Sequence, residues 1–408
     1  MTPTRAAGAV RARVAVSAVF ALNGFLAAMW VAHIPVIAER TGITHDLLGG
    51  LLLLLGGAAF VGMQVCGPII DRWGPRPTTV AAAAALSLLI LAPITATGAG
   101  SLAAALAGFG FANGALDVSM NAQAVRVERE YRRPIMSSFH GWFSVGSLVG
   151  SGIVASMLWL DVDVRATVAG ATVVGLVVIG CVMGDLERGP EIDDGAPIAD
   201  DRPVPEGSRW WTGIDLRRLA LMSAVAFALM LAEGTAYDWS ALHIVETFDT
   251  PEAIGAVTFG AFSAAMTIAR FGVDRVSATI GPESVVRYGA MIGLAGITVA
   301  VVAPSAGWAI AGWTVFGVGL AGLIPQIFTA AGNLSATASG RAISLVVGCG
   351  YLGMLAGPAV VGFISNRSSL AVGLVVAIVA LAFAATAAGV VRVPAGDSGR
   401  PAPRDMPH

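Results

Sequence analysis

Residues 67–76 read GPIIDRWGPR, from Gly67 to Arg76, and close an apolar run that begins near residue 46. Roughly 20 apolar residues are enough for a helix to cross the ~30 Å hydrocarbon core of a bilayer, and this run is long enough to do so. The pair Asp71-Arg72 comes directly at its end, where a polar membrane surface would lie. The stretch therefore predicts a transmembrane helix that ends in a charged turn containing glycine.

The same kind of apolar run recurs along the whole chain of 408 residues, of which 56% are hydrophobic and 12% charged, with a mean hydropathy of +0.78. A soluble protein carries about 25% charged residues. Outer-membrane barrels are excluded, because they read as alternating segments of ~10 residues and this sequence does not. The predicted fold class is an all-α membrane protein with about twelve spans, which we number in chain order. They are expected at residues 14–38, 46–70, 77–97, 101–126, 134–158, 165–184, 217–244, 253–273, 284–303, 307–331, 341–365 and 369–391.

Arginine sets the expected orientation, because the sequence has no lysine and its 24 Lys-plus-Arg positions are all arginine. If the N-terminus is cytoplasmic, only Arg40, Arg165 and Arg367 fall at the outer surface. Short loops rich in positive charge stay in the cytoplasm. Both termini are therefore predicted to be cytoplasmic.

Between spans 6 and 7 lies an acidic segment rich in proline and glycine, DLERGPEIDDGAPIADDRPVPEGSRWW. It lacks apolar periodicity, which is typical of a flexible linker. We therefore expect a six-helix bundle at residues 1–184, a cytoplasmic linker at 185–216, a second six-helix bundle at 217–392 and a disordered tail at 393–408.

The two bundles read as repeats of one another. Span 1 contains ALNGFLAAMWVAHI and span 7 contains LAEGTAYDWSALHI, and the two align without a gap. The matched pairs are Asn23 and Glu233, Gly24 and Gly234, His33 and His243, and Ile34 and Ile244. Spans 5 and 11 match at Gly141, Gly146 and Gly150 against Gly348, Gly353 and Gly357. Parallel repeats of six helices are an architecture of alternating-access transporters, with the cargo site between the halves.

The pattern G-x-x-x-D-R-x-G-x-R in residues 67–76 resembles the hallmark motif of the major facilitator superfamily, which lies on the cytoplasmic side between spans 2 and 3. The resemblance implies two pseudo-symmetric bundles and a cytoplasmic gate. In this family the glycine allows close helix approach, and the Asp and Arg form a charge cluster that latches the halves. The matching residues are Gly67, Asp71, Arg72, Gly74 and Arg76. The second-half copy, RFGVDRV, has Arg270 in place of the first glycine, and we interpret it as degraded.

Three further segments, ALDVSMNAQAVRVE, RPIMSSFHGWFSVG and AEGTAYDWSA, resemble a bacterial fucose-permease-like branch of this superfamily. The resemblance implies a multi-pass protein of the bacterial cytoplasmic (inner) membrane. In fucose:proton symporters a carboxylate on helix 1 and another on helix 4 are implicated in proton coupling. Asp117 matches the helix 4 position, whereas His33 occupies the approximate helix 1 position.

Asp117 lies in the inner half of span 4, where a carboxylate is costly unless it is functional or well paired. At 100° per residue, Asn113, Asp117 and Asn121 form one stripe, and Gln123 points elsewhere. The stripe must face protein or a water-filled cavity. Two interpretations remain open, namely a proton-carrying carboxylate and a structural one that holds span 4 to its neighbours.

His140 begins a second stripe, on span 5, which continues through Ser144, Ser147 and Ser151. It is expected at a depth comparable to that of Asp117, and histidine titrates near neutral pH, so the two residues are candidates for a proton relay. For the serines we favour the alternative that small residues permit close helix packing.

Glu233 on span 7 shares a face with Tyr237 and Ser240. In the superfamily resemblance, spans 1, 4, 7 and 10 line the cavity, and Glu233 is the repeat counterpart of Asn23. We therefore predict that Glu233 binds cargo or a proton. Asp238, Trp239 and His243 lie nearer the outer end of the span and are interpreted as gate or interface residues.

Aromatic and amide side chains within spans are candidates for a cargo cavity, since aromatic faces beside polar groups suit a polyol or sugar. Ordinary packing is the competing interpretation. The candidates are Asn23, Trp30, Gln64, Asn113, Asn121, Trp142, Tyr237 and Gln326. Gln326 follows Pro325, which predicts a kink in span 10.

These features predict a secondary active transporter that works by alternating access and symports a small polar solute, with sugars as one class, together with protons. The proton-coupling candidates are Asp117, His140, Glu233 and His33. One alternative is proton-coupled efflux of drugs or metabolites, although drug:proton antiporters of this superfamily have a Gly- and Pro-rich motif on helix 5, and here the Gly-Pro version, GMLAGP, is on span 11. A second alternative is a non-transporting membrane sensor.

An enzyme is not expected, because the sequence has no nucleotide-binding loop, metal-ligand spacing or nucleophile cluster. No metal or cofactor is therefore expected either. The expected partners are a small-molecule cargo, protons and the lipid bilayer, without nucleic acid, and the protein is expected to be a monomer.

Overall fold

The computed structural model describes residues 3–43, 45–187, 214–335 and 338–392. Within them, 12 stretches of helix are long and apolar enough to cross a membrane, so the predicted fold class is confirmed. The helices are Pro3–Thr41, His45–Trp73, Pro75–Leu89, Leu91–Thr95, Ala99–Tyr131, Met136–Trp159, Val164–Val182, Leu216–Phe248, Glu252–Ile280, Pro282–Val301, Ala306–Leu320, Leu323–Gly332, Ser339–Ser365 and Leu370–Ala387, followed by a 3-10 turn at Ala388–Val391.

The observed spans coincide with the predicted ones, apart from a few ends where a helix continues beyond the apolar run. Span 8 is the clearest case, since its helix runs to Ile280 rather than 273. The linker and tail predictions concern residues that lie largely or wholly outside the described part of the chain, namely 188–213 and 393–408.

Spans 3 and 10 each consist of two helices, and proline explains both breaks. Proline has no N–H to bond the carbonyl four residues earlier. Pro93 therefore leaves the carbonyl of Leu89 free, where the first helix of span 3 ends, and Pro325 does the same for Ala321. The predicted kink in span 10 is confirmed, and it lies at residues 321–322, about one turn before the proline.

Corresponding spans pack together in the two halves, as expected for repeats. In the first half, span 1 packs on span 5, span 2 on span 4 and span 3 on span 6. In the second half, span 7 packs on span 11, span 8 on span 10 and span 9 on span 12. The halves meet mainly where span 2 packs on span 11 and span 5 on span 8. The molecule is thus two similar bundles joined along two helix pairs.

Glycines bring spans 1 and 5, and likewise spans 7 and 11, to backbone contact. A Cβ atom at Gly146 would lie 1.9 Å from the carbonyl oxygen of Ala21, and one at Gly353 would lie 2.1 Å from that of Phe227. Small residues that allow such approach are a common basis of packing between membrane helices. Gly146 and its match Gly353 therefore have the same packing role in each half.

Replacing Gly146 with valine is expected to destabilise the first bundle by at least about 3 kcal/mol, because the side chain would overlap the backbone of span 1 and not a movable side chain. Reversible unfolding of the purified variant measures the loss. Gly152→Val is the matched control, since a Cβ at Gly152 on the same helix has no atom within 4 Å. Equal stability of the two variants would show that spans 1 and 5 can separate without cost.

Candidate functional site

Three charged side chains lie deep within the spans, and each is more than nine-tenths buried. Asp117 on span 4 is 5% exposed, Glu233 on span 7 is 7% exposed and Arg270 on span 8 is 7% exposed. Charged groups within a bilayer normally pair with one another or line a water-filled path. These three residues therefore define the candidate site, which we call the central cluster.

Asp117 is held by its own helix and faces the other half. The side-chain amide of Asn121 donates to Asp117 Oδ1 at 3.3 Å and to the Asp117 carbonyl at 2.9 Å. Tyr351, on span 11, interacts electrostatically with the Asp117 carboxylate. Oδ2 accepts no hydrogen bond from the described residues. Asp117 thus has polar neighbours from both halves but no cationic partner among those neighbours.

Glu233 forms an ion pair with Arg270, the residue that replaces the first glycine in the second-half motif. Arg270 Nη2 lies 3.3 Å from Glu233 Oε1, and both side chains are 9% exposed. Arg270 Nη1 also donates to Ser144 Oγ on span 5, at 2.8 Å. The arginine therefore neutralises the carboxylate of its own half and binds a hydroxyl of the other half. No signal in the sequence indicated this role, because Arg270 lies three residues before the predicted end of span 8, and only the continuation of the helix to Ile280 places it inside the span.

His140 lies in an aromatic environment beside Arg270. Its ring is 5.2 Å from that of Phe20 and 5.9 Å from that of Phe328, centroid to centroid. It interacts electrostatically with the Arg270 guanidinium. Among the described residues no hydrogen bond joins His140 to Asp117, since His140 Nε2 and Asp117 Oδ2 both lack a partner. The two residues predicted as a proton relay are therefore not hydrogen-bonded to one another in this structure.

The span 1 candidates contact their immediate surroundings. The amide of Asn23 donates to the sulfur of Met120 on span 4, at 3.6 Å, so Asn23 lies beside the Asp117 helix. His33 is 1% exposed, and its Nδ1 lies 2.7 Å from the carbonyl of Met29 one turn earlier. Asn23 therefore adjoins the central cluster, whereas His33 is satisfied by the backbone of its own helix.

The remaining cavity candidates divide into exposed and packed side chains. Trp142 and Tyr237 are exposed, and both lie against rings of span 8, with Trp142 6.0 Å from Phe271 between centroids. Trp30 is buried against Phe109. Asn113 is half-buried. Gln326 accepts a hydrogen bond from Ser277 at 3.2 Å. Gln64 donates a hydrogen bond to the Ser344 carbonyl of the other half at 2.9 Å.

The serines of the span 5 stripe lie in three different environments. Ser147 Oγ donates to the carbonyl of Gly24 on span 1 at 3.1 Å, and Ser151 is exposed. Ser144 is different, because it accepts the hydrogen bond from Arg270. On span 7, Asp238 is exposed, and His243 Nδ1 lies 3.4 Å from the indole nitrogen of Trp313.

Two carboxylates connect the halves at the membrane surface where both chain ends lie, which we call the termini face. Asp71 at the end of span 2 accepts hydrogen bonds from the backbone N–H groups of Gly340 at 2.7 Å and Arg341 at 3.2 Å, in the first turn of span 11. Asp274, in the last two turns of span 8, accepts them from Ser137 at 3.0 Å and Ser138 at 2.8 Å, in the first turn of span 5. A carboxylate at a helix N-terminus satisfies N–H groups that the helix cannot.

We call these two contacts, made by Asp71 and Asp274, the latches. They occupy corresponding positions in the two repeats, so the second-half motif keeps its carboxylate and is not degraded in this respect. The other motif residues have separate positions. Gly67 allows spans 2 and 11 to touch, since a Cβ there would lie 2.5 Å from Ser344 Oγ, and Gly74 has a φ of 81°. Arg72 is exposed, and the arginine that approaches Asp71 across the halves is Arg341, at 3.7 Å.

Further contacts close the same face. Glu128 near the end of span 4 accepts a hydrogen bond from Thr329 of span 10 at 2.6 Å, and Arg129 donates to Asn333 and to the Gly332 carbonyl. The second helix of span 10 packs on spans 4 and 5 of the other half as well as on spans 7, 9 and 11, whereas its first helix packs mainly on spans 7, 8 and 9 of its own half. The halves are therefore joined more closely toward the termini face.

Gln123, which the helical phase placed off the Asp117 stripe, anchors the start of the predicted linker. Its amide donates to the Glu187 carbonyl at 3.1 Å, and its carbonyl oxygen accepts from the Glu187 N–H at 3.1 Å. The chain leaving span 6 is thus fixed to span 4.

Comparisons with known proteins agree with this architecture. The family model described as Major Facilitator Superfamily matches residues 14–333. An uncharacterized MFS-type transporter of Yersinia pestis is 33% identical over 374 residues, covering 91% of this chain and 94% of the relative. An uncharacterized transporter of Sinorhizobium fredii is 30% identical, covering 90% of this chain and 96% of the relative.

Among solved structures, the chain is similar to FucP, titled the E. coli fucose:proton symporter. With the outward conformation of FucP it has a TM-score of 0.77 at 12% sequence identity, covering 93% of this chain and 98% of FucP. At this identity the likeness concerns the fold.

Proposed function

Because the chain belongs to the Major Facilitator Superfamily and is a transporter of that family, we propose that it symports a small polar solute with protons by alternating access. The observation that carries the proton coupling is the charge balance of the central cluster. Glu233 is neutralised by Arg270, whereas Asp117 has no cationic partner among its neighbours.

A carboxylate without a cation is costly within a bilayer, by about 2.5–3.5 kcal/mol on the lower scales. The cost falls when the carboxylate takes up a proton. Asp117 also interacts with Tyr351 of the other half, so any movement of the halves changes its surroundings. Protonation of Asp117 is therefore linked to the movement that exposes the site on alternate sides of the membrane. Glu233, His140 and Asn23 complete the proposed site, and His33 has a structural role.

Alternating access requires a gate that opens, and the two latches at the termini face supply it. The arginine bias predicts that the termini face is cytoplasmic. With that orientation, the contacts of Asp71 and Asp274 close the cytoplasmic side. The break in span 10 separates a helix that packs on both halves from one that packs mainly on its own half. We propose that this break bends as the gate opens. The protein is proposed to act as a monomer in the bacterial cytoplasmic membrane.

Asp117→Asn is expected to abolish accumulation driven by a pH gradient, by at least about tenfold, while exchange of labelled for unlabelled cargo continues. The amide keeps the shape of the side chain and cannot carry the proton. Uptake into proteoliposomes with an imposed pH gradient measures the first property, and counterflow without a gradient measures the second. Glu246→Gln is the matched control, because Glu246 is an exposed carboxylate near the end of span 7.

Accumulation that is unchanged in Asp117→Asn would remove this residue from the coupling mechanism. Cargo expelled when the outside is acidified would indicate antiport instead of symport. Binding without flux in the wild-type protein would favour the sensor.

A further inference from the structure

Arg270 has hydrogen-bonding capacity that the protein itself does not use. A guanidinium offers five N–H donors in a rigid fork. Ser144 and Glu233 each take one bond, and the contact to Glu233 is a single one of 3.3 Å, longer than the ~2.8 Å typical of a charged pair. Arg270 Nε has no hydrogen-bond partner among the described residues, although the side chain is more than nine-tenths buried. The pair with Glu233 is therefore an incomplete match for the arginine.

A second unused group lies beside it. His140 Nε2 has no hydrogen-bond partner in the described part of the chain, and His140 interacts electrostatically with Arg270. Ser144 Oγ donates to the His140 carbonyl at 3.3 Å, so these three residues form one group on spans 5 and 8. An arginine together with a histidine and a hydroxyl is suited to an anionic oxygen group, and arginine binds carboxylates with particular geometric specificity.

The Asp117 part of the central cluster, on spans 1 and 4, carries unused acceptors instead. Asn23 Oδ1 on span 1, together with Asn121 Oδ1 and Asp117 Oδ2 on span 4, is buried without a hydrogen-bond partner in the structure as described. Buried polar atoms are normally satisfied, so a set of unsatisfied ones calls for a ligand or water. Acceptors of this kind suit hydroxyl groups, which donate.

We propose that the cargo is a small hydroxylated carboxylate, whose carboxylate binds Arg270, Ser144 and His140 and whose hydroxyl groups donate to Asn23, Asn121 and Asp117. The inference rests on the proposed function and specifies its cargo. On this proposal the cargo carboxylate takes part of the position beside Arg270 that Glu233 Oε1 holds in the structure. Binding one carboxylate while Asp117 takes up one proton leaves the total charge of the site unchanged, which fits symport with a proton.

A cationic cargo fits these groups less well. It would find a partner in Asp117, but it would leave Arg270 Nε and His140 Nε2 without an acceptor. A neutral sugar could use the acceptors of spans 1 and 4 and would bring only weak acceptors to Arg270. The distribution of unused donors and acceptors therefore favours an anion that also carries hydroxyl groups.

The test uses compounds matched in size that differ in one group. The first set is D-gluconate, D-glucitol and D-glucosamine, and the second is glycerate, glycerol and 2-amino-1,3-propanediol. Binding to the purified full-length protein is measured by the shift in thermal stability across a concentration series. We expect a carboxylate of at least one set to bind tenfold or more tightly than its neutral and aminated counterparts. Tighter binding of a neutral or aminated compound, or no binding of either carboxylate, would overturn the proposal.

Two variants test the assigned residues. The double variant Arg270→Gln, Glu233→Gln removes the arginine proposed to bind the cargo carboxylate. It also removes the charge of Glu233, so that neither charge of the buried pair is left unpaired. In this double variant we expect the preference for the carboxylate to disappear. Ser144→Ala should weaken carboxylate binding severalfold and leave the binding of the neutral compound unchanged. A preference that survives in the double variant would refute the role of Arg270.

The outcomes separate this inference from the proposed function. Uptake of a neutral or aminated compound driven by a pH gradient would support proton symport and refute a carboxylate as the cargo. Tight binding of a carboxylate whose uptake does not respond to a pH gradient would support the carboxylate cargo and refute proton symport.

Discussion

Replacing Arg270 alone with glutamine is expected to destabilise the folded protein by about 3–5 kcal/mol, the usual cost of removing one partner from a buried ion pair. The variant leaves Glu233 without its cation at a position that is only 7% exposed. It also removes the bond to Ser144, which joins the halves. The carboxylate could then be neutralised only by a proton, so the loss should be smaller in acidic buffer.

Adding the second replacement, Glu233→Gln, is expected to recover most of the lost stability in the double variant, because two neutral amides can hydrogen-bond to one another. Reversible unfolding of the four proteins in the same detergent gives the coupling energy. Arg275→Gln is the control, since Arg275 is exposed on the same helix. If Arg270→Gln and Arg275→Gln were equally stable, the pair would contribute nothing to the fold.

Removing both latches is expected to open the termini face. Asp71→Asn and Asp274→Asn each leave one acceptor oxygen for two backbone N–H groups and remove the charge that favours a helix N-terminus. Hydrogen bonds to charged groups contribute about 1.5–3 kcal/mol each. Losing about 2 kcal/mol at each latch would shift the equilibrium between closed and open states by about three orders of magnitude.

Spin labels at Arg133 and Thr279, which are exposed near the termini face on opposite halves, would measure this opening as a longer distance. Each single variant should give a partial shift. Asp163→Asn is the matched control, because Asp163 caps a helix N-terminus within its own half through the Arg165 N–H at 2.7 Å. An unchanged distance in the double variant would mean that other contacts hold the face closed.

The fold was predictable because hydropathy and length are properties of the chain itself. A run of about 20 apolar residues must cross the bilayer as a helix. The kink at Pro325 was predictable for the same kind of reason, since a missing N–H has a fixed local effect. The extension of span 8 to Ile280 was not, because the segment after Asp274 is too polar to read as membrane-embedded but continues as a helix.

The candidate site was predictable only in part. Asp117 and Glu233 drew attention because single carboxylates interrupt long apolar runs. Their partners, Tyr351 and Arg270, depend on which helices meet in space, and the sequence pattern does not specify that. The second latch was missed for another reason. Comparison with the first motif emphasised the lost glycine at Arg270, although the carboxylate that forms the latch, Asp274, is present.

The latches have a consequence for genetics, since each carboxylate accepts hydrogen bonds from backbone N–H groups, which do not depend on the side chain of the donor residue. At the buried positions 137 and 138 small residues other than proline present the same N–H groups, so these two positions can vary within that limit. Position 340 requires glycine, because a Cβ there would lie 2.5 Å from the carbonyl oxygen of Gly67, and Arg341 also pairs with Asp71 through its side chain. Suppressors of Asp71→Asn should therefore arise elsewhere, at residues that make the open state less favourable.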